Sequence, residues 1–224
     1  EKYQVPVIII TDHLLASSYS SIEKFDLSKV KIDRGQLLSE EEVNKLSEYK
    51  RYQITESGIS PRALPLQGKA LVVADSDEHN EEGHIIEDAE TRNKMMLKRL
   101  RKLDGLKSEL DQPRFHKATK AAMTLVGWGS TYGAIKEAAT ILQNEGIGAN
   151  VLHLTELWPF PVEAVSSALN TAPKSYVIEN NATGQLARLI RTETGIKSTG
   201  NILKFDGRPF SPEYIVNAIK KEVV

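Results

Sequence analysis

Short apolar runs alternate with helical patterns over the last hundred residues of the chain. Each run is rich in β-branched or aromatic residues, and each following segment has the three-to-four-residue spacing of an amphipathic helix. The predicted strand and helix pairs are 122–127 with 134–145, 149–155 with 162–169, 175–179 with 185–193, and 201–205 with a last helix capped by Ser211. Four such pairs predict an α/β domain with a mainly parallel sheet and right-handed crossovers.

The chain opens on a different pattern, a continuous apolar run over residues 5–10. Such a run is typical of a strand that is buried on both faces in the middle of a parallel sheet. One strand cannot bury itself. We therefore expect that the chain is the C-terminal part of something longer, or that a partner chain supplies the neighbouring strands.

Residues 12–66 are irregular and fit a linker with one short helix. Ser39 and Glu42 have the spacing of a capping box, and Val43 and Leu46 give the helix a narrow apolar stripe. A short strand is predicted at 69–74, and the acidic run 75–84 follows it.

Beyond the acidic run, apolar residues recur at spacings of three and four, as on one face of an amphipathic helix. They are Met96, Leu100, Leu103, Leu106 and Leu110. The rest of this helix is basic. We interpret the basic side as a solvated outer face, the more common role of such charges, rather than as a docking surface.

The amino-acid composition makes several classes of partner and chemistry unfavourable for this chain. The chain has 29 basic and 30 acidic side chains and a formal net charge of -1, so no overall field favours nucleic acid or an anionic membrane as a partner. No apolar run approaches the roughly eighteen residues that a membrane helix needs. The absence of cysteine excludes disulfides, thiolate chemistry and the usual ligands of an iron–sulfur cluster. We expect a cytoplasmic protein.

The glycine-rich segment 127–133 joins a predicted strand directly to a predicted helix. Its glycines permit a sharp turn, and Ser130 or Thr131 can cap the helix and leave its positive end open to an anion. An ordinary strand-to-helix joint explains the same residues and is the more common case. Neither the dinucleotide pattern nor the Gly-x-Ser-x-Gly elbow is complete here.

Other polar residues follow the remaining predicted strands. Because the carboxyl ends of parallel strands meet at one edge of a sheet, we expect these residues to gather with the glycine segment. They are Glu156, Trp158, Glu179, Asn180, Asn181, Thr183, Asp206 and Arg208. By contrast, the five-residue interval between His79 and His84 matches no common metal pattern, so no metal ligands are assigned, and the acidic run is interpreted as a hydrogen-bonded loop against another domain.

Six segments together resemble a known family, the α subunits of 2-oxoacid:ferredoxin oxidoreductases, especially the 2-oxoglutarate type. They are YQITESGISPRALP at 52–65, DSDEHNEEGH at 75–84, GWGSTYG at 127–133, WPFP at 158–161, ENNATGQLA at 179–187 and DGRPF at 206–210. The resemblance implies three parts: the end of a thiamine-pyrophosphate pyrimidine-binding domain at 1–20, a linker at 21–117, and a transketolase C-terminal-like domain at 118–224.

For the complete enzyme, the resemblance implies oxidative decarboxylation of a 2-oxoacid, with 2-oxoglutarate as the expected substrate, to an acyl-coenzyme A with ferredoxin reduction. Thiamine pyrophosphate and Mg²⁺ would be bound with a β subunit, and an iron–sulfur cluster would lie on another subunit. None of these groups is expected on this chain alone. The glutamate that activates the thiamine cofactor is not in these residues, so the isolated chain is expected to be inactive.

Five residues are candidates for binding. Ser130, Thr131 and Arg208 are candidates for contact with coenzyme A or another anion, while Arg51 and Arg62 are candidates for a substrate carboxylate because a guanidinium binds two oxygens at once. No catalytic residue is assigned. Ion pairs at a domain interface are the alternative explanation for the arginines, and the more common one.

Two further functions stay open. The chain could be a noncatalytic module that mediates subunit assembly, with its polar rim buried against a partner. It could also be the equivalent domain of a transketolase or a dehydrogenase E1 β chain, although the acidic run and the linker favour the oxidoreductase.

Overall fold

A computed structural model of the chain describes residues 1–223 and divides it into two compact units. The N-terminal unit consists of Glu1–Ile8 and Ile22–Glu109, and the C-terminal unit consists of Ile9–Ser21 together with the residues from Leu110 onward. The helices are α1 (His13–Ser17), α2 (Glu40–Lys45), α3 (Ala89–Lys107), α4 (Tyr132–Asn144), α5 (Val162–Leu169), α6 (Gln185–Thr194) and α7 (Pro212–Val223). The strands are β1 (Arg114–His116), β2 (Met123–Trp128), β3 (Ala149–Leu154), β4 (Ser175–Glu179) and β5 (Gly200–Leu203).

The C-terminal unit is built on one five-stranded sheet with the order β1-β3-β2-β4-β5. Strands β2 to β5 are parallel, with Val126 opposite Leu152 on β3 and opposite Val177 on β4. The α/β class and the four predicted parallel strands are therefore confirmed. Strand β1 pairs antiparallel with β3 at one edge of the sheet. It was not predicted, because three residues with polar Arg114 and His116 on either side of Phe115 form no apolar run.

Helices cover both faces of this sheet, which is why its inner strands are apolar at successive positions. On one face, Leu125, Val151 and Tyr176 pack with residues of α4 and α7 such as Ile135 and Ile215. On the other face, Val126, Leu152 and Val177 pack with residues of α5 and α6 such as Val165 and Ile190.

The N-terminal unit contains α2 with the predicted capping box: the Ser39 amide donates to a Glu42 carboxylate oxygen at 2.7 Å, and the Glu42 amide donates to Ser39 Oγ at 3.2 Å. The strand predicted at 69–74 is wrong, because these residues form no strand. Residues 5–10 form no ladder with any of residues 1–223, and Val7, Ile8 and Ile9 are 78%, 83% and 88% exposed. The expectation that strands from elsewhere bury this run stays a prediction.

Helix α3 overlaps the helix predicted at 96–110, but its buried residues lie beside the predicted apolar stripe, of which Leu103 and Leu106 are only half-buried. Met95, Lys98 and Lys102 are buried, while Leu97 and Leu100 are more than half exposed. The lysines tolerate burial because their apolar stems pack within the unit and each ammonium group donates to a backbone carbonyl. Lys98 Nζ lies 2.9 Å from Tyr52 O, and Lys102 Nζ lies 3.1 Å from Gln4 O. The interpretation as a solvated face was therefore wrong for Lys98 and Lys102, whereas the side chains of Arg92 and Lys94 are more than half exposed.

Candidate functional site

A cavity of about 430 Å³ opens at the carboxyl edge of the sheet, within the C-terminal unit. From β2 the chain continues to β3 on one side of the sheet and then crosses to β4 on the other. The strand order therefore reverses between β2 and β4, and ligands of open parallel sheets bind in the crevice at such a point. The cavity is lined by α1 and its flanks and by the loops after β2, β4 and β5: Asp12, His13, Leu14, Ser17, Ser18, Ser130, Asn180, Lys204, Phe205, Gly207, Arg208 and Pro209.

The glycine-rich segment forms a tight turn at the end of β2. Thr131 is 3% exposed, and its hydroxyl donates to Trp128 O at 2.8 Å and accepts from the Trp128 amide at 3.1 Å. A Cβ at Gly127 would stand 2.5 Å from that hydroxyl oxygen, so the absence of a side chain there makes room for the turn. The Thr131 hydroxyl thus holds the turn together, and Thr131 does not line this cavity. Its contact with an anion stays a prediction.

Ser130 does line the cavity, and its hydroxyl donates to the carboxylate of Asp12. The other carboxylate oxygen of Asp12 accepts from the Leu15 amide at 3.0 Å and so caps α1. Asp12 was missed as a site residue. A Thr-Asp pair at the end of an apolar run is a helix-cap signal, but nothing in the sequence links it to Ser130, which lies 118 positions away.

The loop after β5 supplies the basic side of the cavity. The Lys204 ammonium donates to the Asp206 carboxylate and, at 3.1 Å, to Arg208 O. The Asp206 carboxylate accepts hydrogen bonds from Lys204 and from the Arg208 amide, and both lower the pKa of Asp206. Within residues 1–223, the Arg208 guanidinium has neither a hydrogen-bond partner nor an ion-pair partner, so it is available to an anionic ligand.

The lining of the cavity therefore contains two different kinds of polar group. Asp12 and Ser130 offer a carboxylate and a hydroxyl as acceptors, while the unpaired Arg208 guanidinium offers donors. The Phe205 ring, 70% exposed, and Leu14 supply apolar wall. An elongated molecule with a negative end and N–H donors further along matches this pattern. The volume is in the range of small-molecule and cofactor sites.

Two of the polar residues expected on this edge, Glu179 and Asn181, stabilise the fold. Glu179 is fully buried, and its carboxylate accepts from the Leu186 amide at 2.7 Å and the Ala187 amide at 3.1 Å, at the start of α6. Asn181 donates to the same carboxylate at 2.8 Å and accepts from the Thr183 amide at 3.0 Å. These residues close the loop after β4, and only Asn180 of this group lines the large cavity.

Arg51 and Arg62 lie in the N-terminal unit, so they are not part of this cavity. The Arg62 guanidinium is paired with the carboxylate of Glu1, which matches the alternative explanation of an ion pair. Arg51 donates to Gln4 Oε1 at 3.3 Å and lies 4.8 Å from the centre of the Tyr52 ring. The role of either arginine toward a substrate carboxylate stays a prediction.

The acidic run forms a hydrogen-bonded loop in the N-terminal unit. Arg99 and Arg92 bind the Glu78 carboxylate and hold its pKa at about 2, against the opposing effect of partial burial. The ring of His79 lies 3.8 Å from that of Tyr52, and its Nδ1 lies 2.9 Å from Asn80 O. Among residues 1–223, no three acidic or histidine side chains converge as metal ligands would.

No helix in the described part of the chain has both the length and the apolar character required to cross a bilayer.

Known proteins are similar to this chain in sequence and architecture. The family model described as Pyruvate:ferredoxin oxidoreductase core domain II matches residues 121–215. The chain is 38% identical over 226 residues to 2-oxoacid:ferredoxin oxidoreductase 2, subunit alpha, of Aeropyrum pernix, covering 99% of this chain and 34% of that protein. It is 35% identical to 2-oxoacid:ferredoxin oxidoreductase 1, subunit alpha, of Sulfurisphaera tokodaii, covering 100% of this chain and 35% of that protein.

Among solved structures, the chain is similar to the 2-oxoglutarate:ferredoxin oxidoreductase of Magnetococcus marinus with 2-oxoglutarate, coenzyme A and succinyl-CoA bound. The TM-score is 0.90 and the identity 33%, over 100% of this chain and 38% of that chain. The chain thus spans about a third of the length of these relatives.

Proposed function

Because this chain belongs to the family of 2-oxoacid:ferredoxin oxidoreductase α subunits, we propose that it takes part in thiamine-dependent oxidative decarboxylation of a 2-oxoacid to acyl-coenzyme A, with ferredoxin reduction. A β subunit is the proposed partner in a cytoplasmic hetero-oligomer. The relative from Magnetococcus marinus, whose structure contains 2-oxoglutarate, supports 2-oxoglutarate as the substrate.

The proposed contribution of this chain is to bind coenzyme A in the cavity at the carboxyl edge. Coenzyme A has phosphates at one end and amide N–H groups along its pantetheine arm. The phosphates match the unpaired guanidinium of Arg208, since guanidinium groups bind phosphate oxygens bidentately. The amide N–H groups match the Asp12 carboxylate beside Ser130. The unpaired Arg208 at the mouth of a preformed cavity is the observation that carries this proposal.

The other groups of the complete enzyme are assigned elsewhere. The chain has no cysteine, so it offers no thiolate for an iron–sulfur cluster, and we place the cluster on another subunit. We place thiamine pyrophosphate and Mg²⁺ with the β subunit of the complete complex. When bound, thiamine supplies the carbanion chemistry of decarboxylation.

Replacing Arg208 with alanine in the complete complex tests the coenzyme A site. Loss of a charged hydrogen bond costs about 1.5–3 kcal/mol, so we expect the KM for coenzyme A to rise at least tenfold, while the KM for the 2-oxoacid stays within twofold. Arg188→Ala is the matched control, because Arg188 lies on α6, is exposed and does not line the cavity. An Arg208→Ala variant with an unchanged KM for coenzyme A refutes the site.

Two exposed apolar surfaces favour a second function, subunit assembly. Val7–Ile10 form an extended apolar run, and Leu97 and Leu100 form an apolar patch on α3, all of them more than half exposed. Such surfaces are typical of segments that are covered by partner protein. Replacing Ile9 with aspartate is expected to weaken association with the β subunit in size-exclusion chromatography. An unchanged elution profile refutes this role for the run.

A further inference from the structure

His153 is a buried imidazole near the carboxyl end of β3, between two leucines. Its neighbours Leu152 and Leu154 are both 1% exposed, and His153 itself is 5% exposed. Its Nε2 lies 3.1 Å from Gly129 O. A carbonyl oxygen can only accept, so Nε2 must carry a hydrogen and donate it.

The second ring nitrogen, Nδ1, makes a histidine unfavourable at this buried position unless the first nitrogen compensates for it. Nδ1 is buried and has no hydrogen-bond partner within the described part of the chain. A buried polar atom without a partner destabilises the fold, and an apolar side chain of similar size avoids that cost. The favourable contribution of the imidazole therefore comes from the hydrogen bond that Nε2 makes to Gly129.

Gly129 opens the short turn Gly129–Thr131, and its backbone lies in the left-handed region with φ +57°. Its carbonyl belongs to the same peptide group as the amide of Ser130. Fixing that carbonyl therefore fixes the plane from which the Ser130 side chain projects into the cavity. A Cβ at Gly129 would meet nothing within 4 Å, so packing does not hold this residue in place.

We infer that His153 is a positioning residue, which orients the turn Gly129–Thr131 so that Ser130 and Asp12 form the acceptors in the lining of the cavity. For its effect on coenzyme A, this inference rests on the proposed function. His153 does not line the cavity, and its hydrogen bond to the turn is made to the carbonyl of Gly129.

The surroundings keep the imidazole neutral. Burial lowers the pKa of His153, and Coulombic interactions with Arg114 and His116 lower it further, against the effect of the Gly129 carbonyl. The ring of Tyr132 lies 4.7 Å from that of His153, and the Tyr132 hydroxyl lies 2.8 Å from His116 Nε2. The neutral ring with its hydrogen on Nε2 can donate to Gly129 O and leaves Nδ1 without a hydrogen.

Two variants separate positioning from packing. His153→Gln keeps an N–H donor at a similar reach, whereas His153→Leu keeps only the volume. In the complete complex, we expect His153→Leu to raise the KM for coenzyme A at least fivefold with kcat within twofold, and His153→Gln to stay within twofold of the native KM. Val151→Ala, on the same face of β3, is the control for lost stability and should leave the KM unchanged.

Amide hydrogen exchange of the ligand-free 224-residue chain tests the positioning role independently of coenzyme A. We expect exchange at Ser130 and Thr131 to be at least tenfold faster in His153→Leu than in His153→Gln. Equal exchange in both variants overturns the inference, and so does a Val151→Ala variant with the same acceleration. If Arg208→Ala fails to change the KM for coenzyme A but the exchange result holds, the coenzyme A site is wrong and the positioning role stands.

Discussion

At the scale of single residues, Gly127 shows how closely the site depends on packing. A Cβ at this position would lie 2.2 Å from Ile135 Cδ1 and 2.5 Å from Thr131 Oγ1. The turn after β2 and the first turn of α4 can therefore approach the strand only where there is no side chain.

Gly127→Ala is accordingly expected to destabilise the chain by about 1–3 kcal/mol, the usual cost of overpacking a core. Chemical denaturation followed by circular dichroism measures this change. Gly133→Ala is the matched control: it lies in α4, a Cβ there meets nothing within 4 Å, and alanine favours helix by up to about 1 kcal/mol. Equal stability of the two variants contradicts the packing argument.

Neighbouring residues also show what sequence alone can predict. Ser130 and Thr131 were equal candidates, because both hydroxyls follow the same glycine-rich strand end. Only the structure separates them, since Thr131 is turned into the fold by two hydrogen bonds to Trp128. The role of Glu179 was equally hard to predict, because a carboxylate at the end of a strand can face a ligand or the start of the next helix.

At the scale of elements, α3 shows why a hydrophobic pattern can predict a helix and still assign the wrong face. The spacing of its leucines was helical, but the unit that contains it buries Met95, Lys98 and Lys102. The two lysines can be buried because their ammonium groups donate to the carbonyls of Tyr52 and Gln4. These acceptors lie on distant segments, so the periodicity of the helix does not reveal them.

Burial of Lys98 predicts a pH dependence. Burial lowers its pKa from 10.5 to about 8, helped by the neighbouring Lys102. Between these values the unfolded chain binds more protons than the folded chain, so stability is expected to rise from pH 8 to 10.5. The rise attributable to Lys98 is on the order of 3 kcal/mol. Unfolding of the native chain and Lys98→Met across this range measures it.

In Lys98→Met, that part of the rise should disappear. Lys94→Met is the control, because Lys94 is exposed and paired with Glu90, which raises its pKa. If Lys98→Met and the native chain gain stability in parallel, Lys98 is not buried as the structure shows.

At the scale of the whole molecule, the repeated strand and helix pairs made the α/β domain predictable, because each pair is local in sequence. The cavity was not predictable to the same degree. Its acceptors, Asp12 and Ser130, lie 118 positions apart, and its free cation depends on which of two neighbouring cations, Lys204 or Arg208, is already paired. The link between this geometry and coenzyme A belongs to the proposed function.

A structure of the complete complex with coenzyme A bound would show whether the cavity beside Arg208 is the coenzyme A site. We expect a phosphate oxygen of coenzyme A at about 3 Å from the Arg208 guanidinium, with the pantetheine amides directed toward Asp12 and Ser130. Coenzyme A bound elsewhere, with the cavity beside Arg208 empty or filled by another part of the protein, contradicts it.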